Sequence, residues 1–152
     1  MQTFLPVPDF SETAKILDRQ RLGKQRVECY QILEALAGVS TTHTWRNHPA
    51  VWMWKGSELI LFRYALTMCY EWTERGYNDN TAARISTLVE DALRLGVWHP
   101  VRNGETPYWL GMEGFHLSHR SNLISKDPEY YQKYWPEVPP GLPYIWPPYR
   151  GE

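Results

Sequence analysis

Apolar positions recur along most of this chain at intervals of three and four, the period of a helix with one buried face. From about residue 57 to 75, Leu59, Phe62, Leu66, Cys69, Tyr70 and Thr73 keep that spacing, and Ile60, Leu61, Tyr64, Ala65, Met68 and Trp72 widen the stripe. This predicts a central core helix with Ser57 as its cap, ended by Gly76. Ile85, Leu88, Val89, Ala92 and Leu95 line another, capped by Asn80 or Thr81 and closed by Gly96. A first helix is expected from about Glu12 to Arg21, with Asp9 or Ser11 as N-cap and Ala14 and Leu17 inward. Gly23 then starts or kinks a second, which places Cys29, Leu33 and Leu36 on one face and runs to about Ala37, with Gly38 just past its end. Shorter helices are expected at Pro49–Trp54 and Glu129–Tyr134, and a longer one at Glu113–Lys126, stopped by Asp127-Pro128.

No alternating strand pattern and no internal repeat stands out. The expectation is therefore an all-α, compact single-domain helical bundle over residues 1–135, followed by an extended Pro/Trp-rich C-terminal arm over 136–152. The arm's prolines forbid a continuous helix, and Leu142, Tyr144, Ile145 and Trp146 are its expected anchors. No apolar run is long enough to cross a membrane, and the first residues lack the basic and apolar regions of a signal peptide, so a cytoplasmic, membrane-free protein is expected. Cys29 and Cys69, the 2 cysteines, fall on predicted helical faces and read as buried hydrophobes, neither a disulfide nor a nucleophile.

Charge changes the picture only locally. The net charge is −1, yet Arg19, Arg21, Lys24 and Arg26 crowd a stretch flanked by Asp18 and Glu28, with Leu17, Leu22, Val27 and Leu33 to back it against a core. Positive charge on a rigid element is how proteins grip phosphate; a solvated polar helix face is the other reading of such a run. The chain also carries 8 Trp and 10 Tyr, several beside cations: Trp45-Arg46, Trp54-Lys55, His119-Arg120, and Tyr130-Tyr131-Gln132-Lys133-Tyr134-Trp135. Aromatic rings stack on exposed bases while cations hold the backbone, although the same rings can simply pack on a core. The polar loop over 38–48 holds His43, Trp45, Arg46 and His48. His116 and His119, spaced i, i+3, could share a metal, but a third ligand at suitable spacing is lacking and no metal or other cofactor is expected.

The order of these features resembles the pyrimidine-dimer DNA glycosylase family of endonuclease V type. The likeness rests on the block from Leu17 to Val27, on His48-Pro49-Ala50-Val51 with Gly56, Phe62 and Tyr64, and on Glu74-Arg75-Gly76-Tyr77-Asn78. The stretch from His116 to Lys126 and the aromatic segment Tyr130 to Tyr134 extend it. The resemblance implies a compact all-α fold and base excision on double-stranded DNA bearing a damaged or modified pyrimidine, by a monomer. In that family the α-amine of the first residue attacks deoxyribose C1′, and β-elimination then nicks the strand. Gln2 is large, so Met1 is expected to be retained and its amine to be the nucleophile. Aligned on Arg26 without gaps, the family's catalytic glutamate falls at Gly23, leaving Asp18 or Glu28 to substitute. The implied catalytic set is Met1, Asp18, Glu28 and Arg26; the implied DNA contacts are Arg19, Arg21, Lys24, Arg46, His48, His116, Arg120, Tyr130, Tyr131, Lys133 and Tyr134. Two alternatives stay open: a non-catalytic DNA- or nucleotide-binding module on the same scaffold, and a protein-interaction domain using the arm.

Overall fold

In a computed structural model, the structure describes residues 1–39 and 46–150. Among them every regular element is a helix: α1 (Phe10–Ile16), α2 (Arg19–Ala37), α3 (Pro49–Trp52), α4 (Glu58–Glu74), α5 (Thr81–Arg94), α6 (Glu113–Lys126) and α7 (Pro128–Tyr131). Helix α2 packs on α3, α4 and α5, α4 also packs on α1 and α5, and α6 packs on α7. None of these helices is long and apolar enough to cross a membrane. His43 and Trp45 lie outside the described residues.

The expected first helix is divided. α1 stops at Ile16, and Asp18 begins α2 as its N-cap, accepting from the Arg21 N–H at 3.4 Å. Two forces fix the break. Asp18 is a strong capping residue. Arg75, at the end of α4, donates to the carbonyls of Ala14 at 2.9 Å and Leu17 at 2.7 Å, which a continuous helix would have used internally. Gly23, expected to start or kink a helix, instead lies in the interior of α2, where a Cβ would stand 3.0 Å from the Trp72 ring. The glycine is there because the indole is. Val27, expected to face the core, is 47% exposed, and on α4 it is the widening set of Ile60, Leu61, Tyr64, Ala65 and Met68 that is buried while Tyr70 faces solvent. At the start of α5 neither Asn80 nor Thr81 supplies the side-chain cap; Asp79 does, accepting from the Thr81 and Ala82 N–H groups at 3.2 and 3.0 Å.

The most consequential feature is not a helix. Residues 2–6 run extended and buried through the molecule without a strand beside them. Their main-chain groups still need partners, and side chains supply them. Gln25 accepts from the Phe4 N–H at 3.0 Å and donates to the Gln2 carbonyl at 2.9 Å. Tyr64 donates to the Phe4 carbonyl at 2.6 Å, and Trp54 donates to the Thr3 hydroxyl at 3.0 Å. The Leu5 N–H donates to His119 Nδ1 at 2.9 Å, His116 Nδ1 donates to the Leu5 carbonyl at 2.7 Å, and Arg120 donates to the Pro6 carbonyl at 2.8 Å. Helices α2, α4 and α6 therefore hold the N-terminal segment between them.

The arm is fastened by a polar stripe on α6. Ser118, Ser121, Asn122 and Ser125 share one helix face, and Ser121 Oγ donates to the Pro139 carbonyl at 2.7 Å while accepting from the Leu142 N–H at 2.9 Å. Ser118 accepts from the Ile145 N–H at 3.3 Å, and Asn122 donates to the Leu142 carbonyl at 3.0 Å. This lays Tyr144 and Trp146 back towards the first residues of the chain. Of the four expected anchors, Ile145 is 45% exposed and does not serve as one.

Candidate active site

The tether ends in a cleft of about 310 Å³. Met1 and Gln2 stand at one wall. Arg21, Lys24, Gln25 and Glu28 come from one face of α2, since those positions are three or four residues apart. Lys126 closes the end of α6, and Tyr144 and Trp146 of the arm complete the enclosure.

Glu28 is the carboxylate of this cleft. Its Oε2 accepts from the Gln2 N–H at 3.2 Å and from Gln25 Nε2 at 3.4 Å, so it stands one peptide from the Met1 amine. Gln25 is 1% exposed and joins the two halves of the arrangement, holding both Gln2 and Phe4. His48 N-caps α3 through Nδ1, accepting from the Ala50 N–H at 3.0 Å, and its ring meets Trp146 edge-on at 5.7 Å. Burial first and the positive Met1 amine second hold the His48 imidazole below its ordinary value, so the amine's field reaches α3. On the cleft floor, Gln2 Nε2 and Tyr144 Oη are buried and neither has a hydrogen-bond partner among the described residues. Burial pushes the Tyr144 phenol up to about 12, against the pull of the nearby Gln2 amide and Arg21 guanidinium.

Arg21, Lys24 and Lys126 face Glu28 across a cleft in a chain whose total charge is −1. Arg21 is partly committed to Asp18 at 3.2 Å; Lys24 and Lys126 make no ion pair among the described residues. The arrangement couples a primary amine, an adjacent carboxylate and cations suited to flanking phosphates.

The remaining expected site residues separate into distinct places. Asp18 is not in the cleft: it caps α2 and bonds Tyr131 Oη, and although burial works to raise its carboxyl, the bonds from Tyr131 and Arg21 hold it below the usual carboxylate range. Arg26 is not there either, because it pairs with Asp79 and lies 4.4 Å over the Trp72 ring. Gly23, where the ungapped alignment puts the family's glutamate, faces that same indole, whereas Glu28 lines the Met1 cleft. His116 is buried with both ring nitrogens on main-chain groups, Leu5 O and Gly111 N–H, and so offers no atom to DNA or metal. His119, three residues on, accepts from the Leu5 N–H through Nδ1. Arg120 is held by Pro6 and Glu113, and Tyr131 is fully buried. Both are framework rather than contact surface.

Other expected contacts are accessible. Arg19 is exposed on a groove with Gly23, Lys24, Val27 and Trp72. Arg46 is exposed near Trp52 and Lys55. Lys133 lies 4.7 Å over Tyr130 and 5.4 Å over Tyr134 at the end of α7. Burial raises both thiols, Cys69 to about 12, which agrees with reading the cysteines as unreactive. Gln2, Gln25, Lys126, Tyr144 and Trp146 were not singled out for the site in the sequence. The spacing from Arg21 to Gln25 to Glu28 was a usable signal for Gln25; the arm residues had none.

The sequence model of the pyrimidine dimer DNA glycosylase family matches residues 1–85. No curated protein and no solved structure matches the chain. The matched span carries Met1, the α2 face with Glu28, and all of α3 and α4, whereas Lys126, Tyr144 and Trp146 lie beyond it. Since that span is more than half of the 152 residues, the chain belongs to the pyrimidine dimer DNA glycosylase family, with a glycosylase-type role on DNA.

Proposed function

We propose that the protein excises a damaged or modified pyrimidine and then nicks the strand, with the Met1 α-amine as nucleophile and Glu28 as its proton acceptor. The observation that carries this is the placement of Met1 and Glu28 in one cleft, joined through the Gln2 N–H at 3.2 Å. The amine nitrogen forms a bond to C1′ as the C1′–base bond breaks. The base leaves with that bonding pair and takes up a proton. Glu28 takes a proton from the attacking amine and returns it to O4′ as the C1′–O4′ bond breaks, leaving a protonated imine and a free 4′-hydroxyl, and the positive nitrogen acidifies C2′–H. Glu28 removes that proton and the 3′-phosphate departs, so strand cleavage needs no metal in this reading. Arg21, Lys24, Lys126 and Arg19 hold the phosphates on either side, and the target nucleotide leaves the stack to reach the cleft.

The test is reductive trapping. Borohydride added to the protein with UV-irradiated or abasic duplex is expected to leave a covalent adduct, and peptide mapping is expected to find it on Met1. Absence of an adduct together with absence of nicking on either substrate would overturn the reading.

A further inference from the structure

A second cavity, about 260 Å³, lies where the α3–α4 junction, the loop around Tyr108 and the end of the arm meet. Its chemistry is aromatic and cationic. Lys55 Nζ sits 4.7 Å over the Trp52 ring and 5.1 Å over the Tyr149 ring, and the Arg150 guanidinium lies 3.9 Å over Tyr108. Tyr108 Oη donates to the Pro148 carbonyl at 2.7 Å, which ties the arm to this loop. Trp52 and Tyr108 are each 38% exposed, a large area for rings that a core could have covered.

We propose that this surface, built on Trp52, Tyr108 and Tyr149 with Lys55, Arg102 and Arg150, binds an unpaired stretch of DNA single strand continuous with the strand in the Met1 cleft. The proposal rests on the DNA reading above and deepens it. Two features point to nucleic acid. Lys55, Arg102 and Arg150 make no ion pair among the described residues, and Glu105 is the acidic residue lining the cavity, so the surface is positive in a chain of net charge −1. Lys55 and Arg150 also rest on ring faces, not on carboxylates. An exposed cation–π contact is weaker than a base stacked on the same ring, so a strand can move the cations onto its phosphates and place bases on the rings. Unpaired bases are required because a duplex hides its base faces.

Continuity with the cleft follows from the chain. His48 begins α3 against Trp146, which walls the Met1 cleft, and Trp52 ends α3 against Tyr149, with ring centroids 6.4 Å apart. Helix and arm thus run side by side from one cavity to the other.

The experiment measures fluorescence anisotropy of labelled (dT)12 and of an undamaged duplex of equal length over a salt series, using the full chain. Trp52→Ala/Tyr149→Ala is expected to weaken (dT)12 binding ten-fold or more while moving duplex affinity less than two-fold. Lys55→Gln/Arg150→Gln is expected to reduce the salt slope for (dT)12 by about 1.4, two charges at about 0.7 each; this pair removes no packed ring and keeps the test readable if the ring variant fails to fold. Unchanged (dT)12 affinity in both variants overturns the proposal, as does a wild type that ignores (dT)12 but binds a proline-rich peptide here. Wild-type binding to (dT)12 that depends on these residues, with no borohydride adduct on any substrate, would sink the catalytic reading and leave this one standing.

Discussion

Acidification from about pH 7 to about pH 5 should loosen the N-terminal segment, and His119 sets most of the effect. The two histidines grip the same residue with opposite tautomers, which the main chain dictates. Leu5 N–H can only donate, so His119 Nδ1 must be unprotonated; the Leu5 carbonyl can only accept, so His116 Nδ1 must carry its proton, leaving Nε2 to accept from the Gly111 N–H at 2.9 Å. A second proton on either ring would set an N–H against an N–H. Burial first, then the neighbouring His116, lowers His119 to about 3, and burial lowers His116 as well. The unfolded chain titrates near 6.5. The folded value is the depressed one, so the stabilisation is complete above about 6.5 and is lost as pH falls from there towards about 3. For one such histidine the loss is about 1.4 kcal/mol per pH unit below the unfolded value, or about 2 kcal/mol between pH 7 and pH 5. His116 and His48 shift the same way and add to it, while the lowered Asp18 and Asp79 act only below about 3.8. Urea denaturation at constant ionic strength across this range is the assay, with His119→Gln, which does not titrate, beside the wild type. Whatever the variant costs at neutral pH, its loss on acidification should be smaller by about 2 kcal/mol. Parallel pH slopes for the two proteins would refute the argument.

Three other substitutions test the arrangement. Glu28→Gln keeps an acceptor for the Gln2 N–H but cannot take a proton, so single-turnover nicking of an abasic duplex should fall by about 10²–10⁴-fold while DNA affinity changes little. Gly23→Ala should destabilise despite the better helix former: the gain is about 1 kcal/mol, but a Cβ would lie 3.0 Å from a Trp72 ring pinned by Arg26, by Tyr77 and by its bond to Asn78 O at 3.0 Å, and overpacking costs about 1–3 kcal/mol. A melting temperature that drops by a few degrees is the expected result, and a rise would show that the indole yields. Arg75→Lys should cost about 2 kcal/mol in denaturant unfolding, because an ammonium cannot bond Glu71 and the carbonyls of Ala14 and Leu17 together from one planar group.

Helix α6 was legible to its ends, Glu113 and Lys126, because Asp127-Pro128 is an unambiguous stop. The α1–α2 boundary was not, since Gly23 looks like a breaker and Asp18 looks like one more charge. Their actual roles, room for Trp72 and a helix cap, depend on α4 and α7 packing against α2. In the site, Met1, Arg21, Lys24 and Glu28 were readable from the resemblance and the helical spacing. Arg26, Arg120, His116 and Tyr131 stand outside the cleft for a common reason. Each has the chemistry to bind DNA, and each uses it on a partner inside the protein. Tyr144 and Trp146 could not be placed at all, because their position follows from serines on α6 that carry no signal by themselves.

A chain terminus frays unless it is tied down, and a nucleophile that must approach C1′ cannot fray. Under the proposed mechanism, the polar residues buried here, Thr3, Gln25, His116 and His119, meet that requirement in the core. It also explains why the matched span is not the whole of the machine. Residues 1–85 contain the amine and Glu28, together with Gln25 and Tyr64. The partners of Leu5 and Pro6 are His119, His116 and Arg120, all on α6. Without α6, the Leu5 N–H and C=O would be left in apolar surroundings with no partner, at a cost of about 1–3 kcal/mol each. The segment would do better to swing into water, taking Met1 out of the cleft. In the proposed reaction, the second half of the chain, though outside the family match, therefore acts through the position of the first residue.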